Sequence, residues 1–265
     1  MSPHNYIFVF PVVVLLWLSC PVAQAWEYAS QEKSTVHSVQ LRTGVEFTKK
    51  FHEGVNLALG EDLRFDLYNS LSAPSFSKSY TTFTCSYTPI DYLKLDAGYT
   101  LKILGNKDWS DYNEWLRHRV FASVTGCVKI DNWKLSLRER AMLEMRTDSV
   151  NPLEKNKFDW YLRSKLAVEY AVRSKPLKPY MWVELVNTLN VPEYQQDDGR
   201  QFIRRVRTAV GVKWKLRKQH SLNFFYRFNY GYERDINITK KAGKIQLIEE
   251  FSYQHALGVT YDFSW

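Results

Sequence analysis

Cysteine is scarce in this chain, charge is missing from its first 25 residues, and only one short stretch is continuously hydrophobic. Each absence excludes something. Of three Cys, only Cys85 and Cys127 lie beyond residue 25, too few for a disulfide-built scaffold. They are expected to stay unpaired, because the strand phases described below send them to opposite faces. No Cys/His metal spacing, phosphate-binding Gly loop or EF-hand pattern occurs, so no cofactor or metal is expected. Beyond the first segment no apolar run reaches the ~20 residues that a membrane-spanning helix needs.

That first segment reads as an export signal. Residues 1–25 contain no Lys, Arg, Asp or Glu, and their apolar core runs from Ile7 to Leu18. It is too short to span a bilayer as a helix, and Ala23-Gln24-Ala25 supplies the small-x-small pattern of signal-peptidase cleavage. The expectation is a signal peptide over residues 1–25, cut near Ala25, and one exported domain over residues 26–265. Met1 to Tyr6 lacks the usual basic residue. Ser19-Cys20 offers a lipoprotein site as the alternative, although Trp17 stands where such a site takes Leu.

Aromatic residues are abundant. With 17 Tyr, 15 Phe and 9 Trp they make up 15% of the chain, a composition suited to the interfacial belts of a transmembrane barrel. The net charge of +8 reads, for an exported protein, as affinity for an anionic lipid surface or an anionic solute. Nucleic acid is not an expected partner.

After Trp26 the dominant pattern is alternation with period two. Leu257, Val259, Tyr261, Phe263 and Trp265 share one face against Ala256, Gly258, Thr260, Asp262 and Ser264. Leu222, Phe224, Tyr226, Phe228, Tyr230 and Tyr232 likewise oppose Asn223, Arg227, Asn229 and Gly231. Strands of ten residues or more suit a tilted membrane crossing. Their connections alternate in length: short near Lys49–Glu53, Pro89–Asp91, Lys129–Asn132, Arg173–Leu177 and Arg217–His220. They are long near Asn69–Lys78, Gly105–Trp115, Thr147–Lys157, Asn187–Arg200 and Glu233–Ser252. Such sorting is what an outer-membrane barrel shows. The expected fold class is therefore all-β, an antiparallel up-and-down transmembrane β-barrel in the outer membrane of a Gram-negative bacterium. Eleven strands begin near Val36, and Trp26–Gln31 is the candidate for a twelfth; twelve strands are expected, with ten as the alternative, since such barrels are usually even.

Tyr261, Phe263 and Trp265 fit the terminal aromatic signal read by barrel-assembly machinery, which with lipid and lipopolysaccharide completes the expected partners. Trp133, Trp160, Trp214 and Trp265 read as aromatic girdle.

The chain also resembles a family of outer-membrane barrels that carries only a domain-of-unknown-function name. The resembling residues are Gly44 to Phe51, Leu59 to Phe65, Lys178 to Glu184, Arg205 to Val212 and Leu257 to Phe263. The resemblance implies a barrel and no activity.

The phases place Arg42, Arg64, Arg117, Arg119, Arg138, Arg140, Arg163, Arg205, Arg207 and Arg227 in the lumen. Glu46, Asp62, Asp66, Asp96, Glu144, Glu169, Glu184 and Asp262 join them. Lumen arginines read either as an ion-pair network or as a basic track for anions, and the interleaved acids favour the network. The two agree if surplus positive charge lines a narrow path. Arg117/Arg119, Arg138/Arg140 and Arg205/Arg207 sit two apart, hence on one face ~7 Å apart. Glu184, beside Tyr180 and Trp182, is the acid of first interest. Glu61 and Glu139 break the pattern by sharing the phase of outward leucines, and a β-bulge turning each inward is expected.

The leading functional expectation is a channel for small anionic solutes. A lipid hydrolase at the rim, using His118 or His255 with a neighbouring Ser, is one alternative. A closed structural or adhesive barrel is another.

Overall fold

A computed structural model describes residues 30–51, 54–69, 74–105, 115–147, 156–191, 203–239 and 244–265. The expected signal segment and His52 lie outside them. Eleven strands follow one another: β1 (Ser30–Lys50), β2 (Val55–Asn69), β3 (Ser75–Ile90), β4 (Leu93–Leu104), β5 (Leu116–Ile130) and β6 (Trp133–Arg146). Then come β7 (Phe158–Tyr170), β8 (Leu177–Thr188), β9 (Arg205–Lys215), β10 (His220–Thr239) and β11 (Lys244–Ser264). Each pairs antiparallel with its sequence neighbours, and β1 closes onto β11, giving an all-β closed barrel.

Eleven lies between the expected twelve and the alternative ten, and it changes the closure. In an up-and-down meander with an odd number of strands, the first and last run the same way. The β1–β11 seam is accordingly parallel, in unbroken register from Ser30↔Gln246 to Thr48↔Ser264. Parallel pairing satisfies backbone N–H and C=O groups as completely as antiparallel pairing does, so closure does not require an even count. Ser30 and Gln31, the last two residues of the expected extra strand, continue β1 instead.

The short connections gather at one end. Asp131 adopts φ 51° in the two-residue turn between β5 and β6, and Gly54 adopts φ 77° before β2. A Cβ on Gly54 would lie 2.5 Å from the Thr88 carbonyl oxygen, so only glycine fits there. At the other end, the loop expected over Glu233–Ser252 is largely strand: β10 and β11 stay paired out to Thr239↔Lys244. Arg234 and Glu249, paired across this hairpin, and the polar residues around them interrupt the apolar alternation, so the segment reads as loop in the sequence.

Outward positions form an apolar band. Leu59, Phe83, Val124, Leu166, Val210 and Leu257 are all about half exposed on the outer wall. Trp133 packs against Tyr170 with ring centroids 4.7 Å apart close to the short turns, where Trp214 and Trp265 also lie, whereas Trp160 lies toward the long-loop end. Glu61 and Glu139 correct the sequence reading. The register runs without a shift through Val45↔Glu61↔Thr81 and Val124↔Glu139↔Ser164, so no bulge turns either inward. The shifts fall instead between Val39 and Gln40, between Arg64 and Phe65, and between Tyr87 and Ile90. Neighbouring hydroxyls satisfy the outward carboxylates: Ser79 and Thr81 donate to Glu61, and Ser164 donates to Glu139 at 2.6 Å.

Candidate functional site: the barrel lumen

Alternation sends every second side chain into the cylinder, where two cavities lie end to end. The one toward the long loops is about 990 Å³, and the one toward the short turns about 610 Å³. Arg42, Arg64, Arg117, Arg119, Arg138, Arg140, Arg163, Glu184, Arg205, Arg207 and Arg227 all line the larger. Its wall carries fifteen Arg and Lys side chains against seven Asp and Glu, so ion pairing within it leaves positive charge over.

The pairing is lopsided in detail. Glu184, its side chain only 2% exposed, accepts from Arg163 at 2.6 Å, Arg138 at 3.0 Å and Arg207 at 3.2 Å. The register explains the convergence: Glu184 faces Lys165 on β7 and Arg207 on β9, with Arg138 one strand further round. Glu144 takes Lys102 at 2.9 Å and Arg119, and Asp62 takes Arg64 at 2.9 Å and Arg42. One acid thus holds two or three cations in place without neutralising them.

The arginines two apart do not act as matched clamps. Arg205 reaches Glu233 while Arg207 turns to Glu184. Arg138 also binds Glu184, whereas Arg140 stacks over the Phe121 ring at 4.0 Å from its centroid. In the smaller cavity, Asp96 accepts from Lys94, Ser86 and Ser123, and Glu169 from Lys213 at 2.5 Å.

Sequence reasoning missed the inward aromatic rings Tyr80, Phe121 and Phe225. They hold the lumen phase, but a polar-face search passes over them. For Phe121 and Phe225 the available signal is an inward glycine on the neighbouring strand. A Cβ on Gly98 would lie 2.5 Å from Phe121 Cζ, and one on Gly258 would collide with the Phe225 ring. Phe121 and Phe225 therefore each lie across a glycine, close against the wall, and all three rings offer a face to a cation. Arg64 lies 4.0 Å from the centroid of Tyr80, and Arg227 lies 5.5 Å from that of Phe225. Lys78, Lys102, Arg146, Lys165 and Arg204 line the larger cavity as well, outside the set singled out from sequence.

The two histidines considered for hydrolysis face outward, and each Nδ1 engages a tyrosine hydroxyl: His118 with Tyr99 at 2.6 Å, His255 with Tyr226 at 2.7 Å. Neither is paired with a serine there. Tyr261, Phe263 and Trp265 cluster on the outer face beside the short turns. Phe263 stacks on Trp265 at 5.2 Å, and Tyr261 meets His220 at 2.6 Å. Cys85 and Cys127 are free thiols. Among the described residues no group of His, Cys, Asp and Glu is arranged to hold a metal ion.

None of the curated proteins matches the chain. Among solved structures, one described as the NanC porin in a rhombohedral crystal form aligns with a TM-score of 0.44 and 10% identity, over 71% of this chain and 86% of that one. Over residues 39–239 the sequence matches the family described as Protein of unknown function (DUF2490), and to that family the chain belongs.

Proposed function

We propose that this barrel resides in the outer membrane of a Gram-negative bacterium, after cleavage of its leader near Ala25, and conducts small anionic solutes. An apolar outer band flanked by aromatic rings supports the lipid environment, because outside lipid that band would leave many large side chains in water. Tyr261, Phe263 and Trp265, gathered on the last strand, suit recognition by assembly machinery.

One observation carries the choice of solute: the larger cavity holds fifteen cationic side chains against seven acidic ones. In a narrow, partly dehydrated passage, surplus fixed charge concentrates ions of the opposite sign and repels those of the same sign. The acids serve to anchor arginines in the wall, which keeps the cations extended while leaving the net field positive.

Purified protein refolded into planar bilayers is expected to conduct, with a reversal potential under a KCl gradient that favours chloride. Cation preference, or no conductance in a demonstrably folded barrel, would overturn this reading.

A further inference from the structure

The two lumen cavities meet at a layer of side chains that borders both. Five cations belong to this layer: Arg42, Arg138, Arg140, Lys165 and Arg227. Arg42 pairs with Asp62, and Arg138 with Glu184. Arg140, Lys165 and Arg227 have no carboxylate partner among the described residues, although acids stand close by.

Aromatic faces hold these three instead. Lys165 Nζ lies 4.3 Å and Arg227 Cζ 5.0 Å from the centroid of the buried Trp182 ring, so two cations share one indole. Arg140 rests on Phe121. The register makes the sharing feasible: Trp182 faces Ala209, which in turn faces Arg227, and the small methyl between them lets ring and guanidinium approach. A ring attracts a cation but carries no net charge, so two positive groups on one indole still lack a counter-ion. A guanidinium lying on a ring covers one face and leaves its edge N–H donors off the ring, and Arg140 and Arg227 line both cavities. The Nε atoms of Arg140 and Arg227 are both buried without a hydrogen-bond partner.

We infer that Lys165 and Arg227 on Trp182, with Arg140 on Phe121, form a discrete binding site for a single oxyanion at the waist of the lumen. Its ligand is the charged head of a small solute: a phosphate, a sulfate or a carboxylate. The site deepens the anion-channel reading and rests on it, giving the passage a station where an anion sheds part of its hydration against fixed donors. Trp182 acts as a positioning residue, keeping the two cations together without neutralising them.

The test uses inorganic phosphate and refolded barrel in detergent, with binding read by equilibrium dialysis so that the result does not depend on conductance. Binding is expected to saturate at a single site. Lys165→Gln and Arg227→Gln should each weaken it by about tenfold or more, the loss of a hydrogen bond to a charged group. Lys33→Gln, on β1 and 63% exposed, should leave it unchanged. Both lumen substitutions remove a charge that has no partner, so they are expected to fold at least as well as the parent. Trp182→Leu keeps all the charges and should also weaken binding. Phosphate binding that never saturates, or that survives Lys165→Gln and Arg227→Gln, would overturn the site while leaving a chloride-selective channel intact.

Discussion

Glu184 shows how a single side chain organises the lumen. Almost wholly covered, it is the common acceptor for Arg138, Arg163 and Arg207, which come from three different strands. Its removal would leave three guanidinium groups confined together with no local anion. Glu184→Gln is therefore expected to destabilise the barrel by about 3–5 kcal/mol, the usual penalty for breaking a buried charge cluster from one side. Denaturant unfolding of the refolded protein reads this directly, and a variant as stable as the parent would show that water already solvates the arginines. Glu139 is a contrasting case. It points toward the outer band, and its hydrogen bond from Ser164 at 2.6 Å offsets part of the cost of an outward carboxylate.

Among the elements, β1 and β11 carry the unusual feature. They pair over their full shared length in parallel, whereas every other neighbouring pair is antiparallel. Leu41 and Leu257 face each other across this seam and both point outward. Replacing both with Cys, in a chain where Cys85 and Cys127 are Ser, should give an intramolecular disulfide under mild oxidation, since paired neighbours fall within disulfide reach. The product would run as an altered monomer on a non-reducing gel. Intermolecular dimers alone, or no cross-link, would mean that another strand stands between β1 and β11. The last strand, with β10, also accounts for the long final loop expected from sequence: strand pairing continues through Arg234↔Glu249, where charged residues interrupt the apolar alternation.

For the molecule as a whole, the governing quantity is the imbalance of charge inside a closed wall. Its field acts through solvent within the cavities, so mobile ions screen it. Anion preference measured by reversal potential should fall as KCl rises from about 0.1 M to about 1 M, because the screening length shrinks from ~10 Å to ~3 Å. Selectivity that is constant over this range would point to sieving by size or by specific contact, with little part for the general field.

Much of this was legible in the sequence because a barrel wall has only two faces. Alternation such as Leu257 to Trp265 fixes which side chains meet water inside, and the arginines and Glu184 follow without knowledge of their partners. Period two is a local property of extended backbone, independent of what the strand pairs with. Tertiary structure alone decided the remainder. How many strands close the ring, and whether the seam is parallel, depend on which edges meet. Which cations share Glu184 depends on register between strands distant in the chain. The outward course of Glu61 and Glu139 depends on hydroxyls supplied by β3 and β7. The seating of Arg140 on Phe121, and of Lys165 and Arg227 on Trp182, needs small residues on adjacent strands. Each of these is a relation across the sheet, and one-dimensional pattern carries no information about neighbours brought together only by closure.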